Sequence, residues 1–425
     1  MFRVIYSLLA LAFCLFTISL VSGQGLPNSS PEEVGISSDR LRRINAVMQS
    51  YIAERKLAGL VTLVARRGKI AHFEKFGSME IEKDKRMQFD TIFQIASMTK
   101  SIVTVAVMVL YEEGRFQLGD PVSKFIPAFK QLKVATSFEN GIPQLADQER
   151  EITVLDLLTH TSGIGSAEEN TPVGQAYIKA EWGHPDDTFD DMIKKLIAIP
   201  LLHQPGASWS YGNSTDVLGY FVETVSGMPL DRFLHERLFQ PLGMLDTGFH
   251  VPKGKHERLA AIYGLDKNNR LQLVEKPADS GLFAGKGQKR FLSGNGGLVS
   301  TPADYARFCQ MLLNKGELDG VRILGRKTVE FMIRNHLSDQ ALESFAKVLG
   351  AGVGFGLSFW VVNNAAQTRL LQSEGAYGWA GGASTYFWID PQEEMFGILM
   401  AQFIPFTQYP IARQFRVLAY QAIID

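Results

Sequence analysis

The pattern of apolar and polar positions predicts a helix and then a pair of strands near the N-terminus. Between residues 38 and 55, apolar side chains recur every three or four positions, which is typical of an amphipathic helix. Two runs rich in β-forming residues, 60–65 and 69–76, are separated by Arg-Arg-Gly and predict a hairpin. The apolar segment 97–114 predicts a long buried helix that ends at its glycine.

The middle of the chain differs in pattern from its C-terminal part. Helical patches broken by Pro and Gly run from about residue 115 to 290. After them the pattern predicts a helix, three strands and a last helix, at residues 302–313, 356–362, 384–389, 396–403 and 411–423.

Strands at both ends with helices between them predict an α+β fold. One antiparallel sheet built from N- and C-terminal segments and flanked by helices, with a mostly helical inserted region, explains this order. The predicted domain then spans residues 24–425, with 24–96 and 291–425 in its α/β part and 97–290 in its mostly helical part.

The first 23 residues have the layout of a secretory signal peptide. Arg3 supplies the basic flank, residues 4–21 are apolar or small, and Val21-Ser-Gly23 offers a small-residue cleavage site. An uncleaved anchor is the alternative, because the apolar run is close to the length that spans a bilayer. Both interpretations predict an exported protein, periplasmic or secreted, and cleavage predicts that no stable membrane insertion remains.

Composition narrows the class of partner. Hydrophobic residues make up 46% and charged residues 20% of the chain, as in a soluble globular protein with a large core. The net charge of −1 gives no field for nucleic acid, so a small-molecule partner is expected. With Cys14 in the leader, Cys309 stands alone and is predicted to be a buried thiol. Nothing in the composition selects an oligomeric state.

A serine and a lysine, Ser97 and Lys100, open the predicted helix 97–114. Residues three apart share a helix face, and the first turn offers free N–H groups and the positive end of the dipole. Ser97 can therefore act as a nucleophile whose own amide donates to an oxyanion, and a desolvated Lys100 can accept its proton. A helix cap beside a solvated lysine is the simpler explanation of this stretch alone, and a second Ser-x-x-Lys, Ser344–Lys347, shows that the motif is weak.

A second constellation lies downstream in Tyr211-Gly-Asn213. A tyrosine and an asparagine two residues apart at a turn can point into the same cleft. The alternative is a helix cap at Asn213 and a packed Tyr211.

Together these motifs resemble the serine β-lactamase and penicillin-binding-protein superfamily, in particular class C β-lactamases and the related family VIII carboxylesterases. Three further stretches are similar to that family and lie at residues 157–163, 239–244 and 296–304. The resemblance covers residues 30–425. It implies a β-lactamase/transpeptidase-like fold.

The resemblance also implies roles for individual residues. Ser97 would attack the acyl carbon, Lys100 would take its proton, and Tyr211 would act with Lys100 on the leaving group and on water. Asn213 would hold the lysine or polar atoms of the substrate. His160 falls in one of the framework stretches and is predicted to be a buried, hydrogen-bonded structural residue.

One departure from the family pattern bears on the substrate. Where the family has Lys-Thr-Gly, whose lysine binds a carboxylate of β-lactams and D-Ala peptides, this chain has Trp379-Ala-Gly381. That run is similar to the Trp-x-Gly variant of the esterase branch, and Gly382 would then supply the second oxyanion donor. The missing lysine favours esters over β-lactams, unless Lys286, Lys289 or Arg413 replaces it.

The expected function is that of an exported serine acyl hydrolase, a carboxylesterase on short to medium acyl esters, without metal or cofactor. The alternatives are a β-lactamase, a D-Ala-D-Ala carboxypeptidase or D-aminopeptidase, and a catalytically silent receptor for peptides or cell-wall fragments. The chain lacks the Gly-x-Ser-x-Gly elbow, paired-histidine zinc motifs and a phosphate-binding loop. An α/β-hydrolase, a zinc hydrolase and a nucleotide-binding enzyme are therefore not predicted.

Overall fold

The computed structural model describes residues 25–139, 141–167, 170–285 and 289–425. The predicted signal peptide lies outside these ranges and stays a prediction. Within them, no helix is both long and apolar enough to cross a membrane.

Strands occur in two blocks that flank the helical middle of the chain, and short hairpins lie between them. In chain order the strands are β1 (Gly59–Arg66), β2 (Lys69–Glu80), β3 (Lys85–Arg86), β4 (Phe93–Gln94), β5 (Lys133–Glu139), β6 (Ile142–Asp147), β7 (Ile262–Leu265), β8 (Leu271–Glu275), β9 (Val299–Ser300), β10 (Glu317–Leu318), β11 (Val321–Arg322), β12 (Val353–Phe355), β13 (Trp360–Val362), β14 (Tyr377–Gly381), β15 (Thr385–Asp390) and β16 (Met395–Ala401).

Helices precede, separate and follow these strands. In chain order the α-helices are α1 (Ser38–Ala53), α2 (Thr99–Glu112), α3 (Val154–Leu158), α4 (Pro172–Lys179), α5 (Phe189–Ile197), α6 (Ser214–Ser226), α7 (Leu230–Leu234), α8 (Gln240–Leu242), α9 (Pro302–Leu313), α10 (Arg326–Met332), α11 (Asp339–Leu349), α12 (Ala365–Thr368) and α13 (Ile411–Tyr420).

An eight-stranded antiparallel sheet in the order β12-β13-β14-β15-β16-β1-β2-β3 forms the centre of the fold. The N-terminal β1 pairs with the C-terminal β16, and Leu63 lies opposite Ile398. Every residue of both strands is buried. The predicted α+β fold, with a sheet assembled from the two ends of the chain, is confirmed.

Helices cover both faces of this sheet. Successive side chains of a strand point to opposite faces. In β15, the Phe387 ring lies 5.1 Å from that of Tyr305 in α9, and the neighbouring Trp388 ring lies 5.2 Å from that of Phe415 in α13. The two helices therefore cover opposite faces, which explains why the C-terminal strands are continuously apolar.

Two hairpins were not predicted in the region expected to be mostly helical. The β5–β6 hairpin pairs Glu139 with Ile142, and the sequence between them is Asn-Gly, the dipeptide favoured in two-residue hairpins. The second hairpin pairs β7 with β8. The predicted single strand 356–362 is also wrong, because the chain reverses between β12 and β13, at Ser358 with φ of 61°.

Candidate active site

Ser97 lies in a one-turn 3₁₀ helix, Ala96–Met98, that leads into α2. The preceding Ala96 has a φ of 43°. A residue with a Cβ is uncommon in this left-handed region and costs on the order of 1–3 kcal/mol there. The sharp turn places the serine directly before α2, at the end of the helix that carries the positive end of its dipole.

Side chains from distant segments hold this strained turn. Thr385 Oγ1 donates a hydrogen bond of 3.1 Å to the carbonyl of Ile95. The Tyr305 hydroxyl, buried under α2, donates one of 3.1 Å to the carbonyl of Met98. The position of the serine is therefore set by β15 and α9 as well as by its own helix.

Lys100 is within hydrogen-bond reach of the serine. Its Nζ donates to Ser97 Oγ at 3.2 Å and to the carbonyl of Asn295 at 2.8 Å. The residue is only 1% exposed, which excludes the alternative of a solvated lysine. The structure thus brings together the nucleophile and the base that the sequence predicted.

Tyr211 presents its ring to this lysine. Lys100 Nζ lies 4.6 Å from the centroid of the Tyr211 ring, within the range of a cation–π contact. On other sides the ring is packed by His160, Trp209 and Trp379, at centroid distances of 5.4, 6.0 and 5.8 Å. This aromatic packing fixes the ring while leaving the residue partly exposed.

Trp379 lies behind the tyrosine rather than openly on the cleft. It is 8% exposed, and its ring centroid is also 5.4 Å from that of Phe355. In this position the indole offers substrates little apolar area and supports Tyr211 from the sheet. Direct contact of Trp379 with a substrate stays a prediction.

The glycines after Trp379 allow the sheet to approach the nucleophile closely. A Cβ on Gly381 would overlap with the carbonyl oxygen of Ile95 and with Thr385 Oγ1, so the end of β14 can lie here only without a side chain. Gly382, the next residue, lines the same cleft as Ser97. The two residues whose amides were predicted as oxyanion donors therefore share one cleft.

Asn213 stands at the N-cap position of α6, but its side chain does not cap the helix. Its Nδ2 donates to the carbonyl of Gly165 at 3.0 Å, and its Oδ1 accepts from Asn295 Nδ2 at 3.3 Å. Asn213 was predicted to hold the lysine. In the structure this contact is indirect, because Asn213 bonds the side chain of Asn295, whose carbonyl accepts from Lys100.

Asn295 and Asp216 line the same cleft, contact the predicted site residues and were not predicted from the sequence. The buried Asp216 carboxylate accepts from the Asn295 amide at 2.9 Å and from Ser293 Oγ at 2.7 Å, and so fixes the carbonyl that binds Lys100. Burial raises the pKa of Asp216 despite these donors and the nearby lysine. A signal was present, since Asp216 follows Tyr211 by five residues in the first turn of α6.

These residues surround a cleft of about 470 Å³, a size suited to a small organic ligand. Asn213, Asp216 and Asn295 form its polar side. Aromatic and aliphatic side chains form another part of the wall, namely Trp182, Phe249, Leu282 and Phe291. The arrangement suits a substrate with an apolar body and a polar reacting group.

The three cations considered as replacements for the family lysine lie in different places. Lys289 lines the cleft. Arg413 is exposed on α13, and Lys286 lies outside the described residues.

The site geometry agrees with a family assignment. The Beta-lactamase family model matches residues 44–420. The chain belongs to the beta-lactamase family. The resemblance predicted from the motifs is confirmed.

Similar members of the beta-lactamase family include esterases. Protein Rv1367c of Mycobacterium tuberculosis is 35% identical over 360 residues, 82% of this chain and 86% of that protein. Esterase EstB of Burkholderia gladioli is 30% identical over 366 residues, again 82% of this chain and 86% of the relative. The solved structure of EstCE1, a hydrolase with promiscuous acyltransferase activity, has a TM-score of 0.76 over 90% of this chain and 99% of its own, at 24% identity. Family and relatives indicate a hydrolase or acyltransferase of the serine β-lactamase fold.

The prediction that His160 is hydrogen-bonded in this beta-lactamase-family site is wrong. The residue is fully buried, as expected, but neither of its ring nitrogens has a hydrogen-bond partner among the described residues. Burial lowers the pKa of His160 to about 3. The imidazole is therefore neutral at ordinary pH and acts as a packing ring between Trp209, Tyr211 and Phe355.

We expect His160 to make the stability of the protein depend on pH. Its pKa is about 3 in the folded chain and about 6.5 without burial, so below pH 6.5 the unfolded chain binds protons more readily than the folded chain. Stability is therefore retained above about pH 6.5 and lost on acidification. At about pH 5 the loss from this residue amounts to roughly 2 kcal/mol, at about 1.4 kcal/mol per pKa unit. Urea denaturation at about pH 7.5 and pH 5 measures it.

The control variant is His160→Asn, because asparagine tolerates the φ of 55° found at this position. Other buried histidines, such as His72 with a pKa lowered to about 4, keep their contributions in both proteins. The difference in pH dependence between wild type and variant isolates His160. Identical pH dependences would contradict the assignment of a neutral, buried imidazole.

Proposed function

We propose that the protein is a serine carboxylesterase that hydrolyses short to medium acyl esters through an acyl-enzyme on Ser97. The observation that carries the proposal is the contact of 3.2 Å between Lys100 Nζ and Ser97 Oγ at a cleft with apolar walls. A buried lysine beside a serine hydroxyl can activate the serine as a nucleophile, whereas a binding protein without catalytic activity does not need it. The contact therefore favours an enzyme over the catalytically silent receptor.

The proposed reaction begins with attack of Ser97 Oγ on the ester carbonyl carbon while Lys100 accepts the hydroxyl proton. The amides of Ser97 and Gly382 donate to the oxyanion that forms. The Tyr211 hydroxyl gives its proton to the leaving alcohol and recovers one from Lys100. Water then attacks the acyl-enzyme by the same proton path, releases the acid and regenerates Ser97.

The preference for esters rests on the position that the family lysine would occupy. A lysine there would give a ligand carboxylate a charge-assisted hydrogen bond worth about 1.5–3 kcal/mol. In this chain Trp379 takes that place and packs on Tyr211, so the strand beside the nucleophile carries no cation at this point. β-Lactams and D-Ala peptides lose that interaction, whereas uncharged acyl esters do not need it.

The test is a side-by-side panel of p-nitrophenyl butyrate, nitrocefin and a D-Ala-D-Ala peptide. We expect kcat/KM for the butyrate to exceed that for nitrocefin by at least about tenfold, because losing the charge-assisted hydrogen bond to the family lysine lowers kcat/KM by about that factor. The Ser97→Ala variant supplies the blank. Nitrocefin turnover that matches butyrate turnover would replace the esterase by a β-lactamase and leave the Ser97 mechanism in place.

Acyl transfer is a second candidate function, supported by the name of EstCE1, a hydrolase with promiscuous acyltransferase activity. An alcohol bound against the apolar wall can attack the acyl-enzyme in place of water. Adding an alcohol to the butyrate assay distinguishes the two. Free acid formed in a smaller amount than p-nitrophenol would support transfer.

A further inference from the structure

Lys289 is a cation in the wall of the cleft that the proposed mechanism does not use. Its backbone is held on both sides, because its N–H donates to the carbonyl of Gly281 at 3.0 Å and its carbonyl contacts His250 Nε2 at 2.9 Å. The aliphatic stem lies over Gly281, where an added Cβ would be 2.9 Å from Lys289 Cγ and 3.0 Å from Cε. The backbone of Lys289 is thus held in place, and its aliphatic stem lies against the backbone at Gly281.

The ammonium group of Lys289 has no carboxylate partner among the described residues, unlike the cations nearby. Lys255 and Arg258, which follow His250 in the chain, both pair with Asp246, at 2.6 and 2.5 Å. The acid that shares the cleft with Lys289 is Asp216, which is 1% exposed and already accepts from Ser293 and Asn295. The site therefore offers one anchored positive charge to whatever enters it.

We propose that Lys289 is a specificity-determining residue that binds a carboxylate of the substrate. The preferred substrates are then esters with an apolar body, received by walls such as Trp182 and Phe291, and one carboxylate remote from the reacting carbonyl. This rests on the proposed esterase function and names its substrate class. Lys289 lies in the loop before β9, whereas the family lysine lies at the position of Trp379 on β14. Lys289 can therefore bind the carboxylate of an ester without reproducing the carboxylate site that β-lactams use.

The test uses two ester pairs that differ by one carboxylate. On the acyl side, p-nitrophenyl valerate is compared with mono-p-nitrophenyl glutarate, in which a carboxylate replaces the terminal methyl group. On the alcohol side, phenyl butyrate is compared with 4-butyryloxybenzoate. Values of kcat/KM are measured for wild type and Lys289→Met, with Ser97→Ala as the blank for spontaneous hydrolysis.

We expect Lys289→Met to lower kcat/KM for the charged ester of at least one pair by about tenfold or more, as for loss of a charge-assisted hydrogen bond. The uncharged esters should change by less than about twofold, which also shows that the variant is folded. Lys289→Arg should keep most of the preference. Lys276→Met, at an exposed lysine outside the cleft wall, should change neither ester.

Two results would contradict the proposal, and they differ in meaning. A charged-to-uncharged ratio that is the same in wild type and Lys289→Met for both pairs would remove the carboxylate subsite while the esterase function stands. Absence of Ser97-dependent turnover of all four esters would remove the esterase function and the subsite with it.

Discussion

Replacing Ser97 by alanine should abolish both turnover and covalent labelling. The Ser97 hydroxyl lies 3.2 Å from a buried amine at the start of α2, which is the arrangement of an activated nucleophile. Turnover of p-nitrophenyl butyrate should fall by on the order of 10³-fold or more, as when a nucleophile is removed from a preorganised site. Intact-mass spectrometry after treatment with a serine-directed phosphonate should show one adduct on wild type and none on Ser97→Ala.

The chain supplies a matched control in its second Ser-x-x-Lys. Ser344 lies in α11, where its Oγ accepts from the Trp209 amide at 2.8 Å and donates to the carbonyl of Ala341 at 2.8 Å. Because its hydroxyl serves the packing of the loop before Tyr211, Ser344→Ala should keep the phosphonate adduct. An adduct that persists in Ser97→Ala would exclude Ser97 as the nucleophile.

Local patterns explain why much of the fold was predictable. Helix α2 is a run of apolar residues with a terminal glycine, and β1 and β2 are β-rich runs joined by a glycine turn, so each is specified within its own segment. The hairpin of β5 and β6 was missed because its strands are mostly exposed and lack an apolar stripe. There the Asn-Gly turn was the stronger signal.

The site was predictable to the extent that its parts are neighbours in sequence. Ser97 and Lys100 share one helical turn, so their contact follows from their spacing. The hydrogen bond from Lys100 to Asn295 joins residues 195 positions apart, and no local pattern specifies it. For His160 the prediction was only partly correct. Its position in a framework segment predicted that the side chain is buried, but not that both ring nitrogens lack hydrogen-bond partners among the described residues.

Substitution of either proton-handling residue should have the next largest effect. Lys100→Ala removes the amine beside Ser97 Oγ, whereas Tyr211→Phe keeps the ring that lies 4.6 Å from Lys100 Nζ and removes only the hydroxyl. Each change should lower kcat for p-nitrophenyl butyrate by on the order of 10²-fold or more, as expected for a positioned acid or base. Tyr220→Phe, whose hydroxyl bonds Asp190 at the surface, is the control and should leave kcat unchanged.

The double variant distinguishes one shared proton path from two independent roles. If Lys100 and Tyr211 move the same proton in sequence, removing the second group costs little once the first is gone, and the combined loss is smaller than the product of the single losses. Lys100 Nζ lies 4.6 Å from the centroid of the Tyr211 ring, so the two residues are neighbours, as a shared path requires. A combined loss equal to the product would assign the residues to separate steps. Near-normal turnover in Tyr211→Phe would instead leave the tyrosine as a ring that holds Lys100 in place, with the lysine handling both proton transfers.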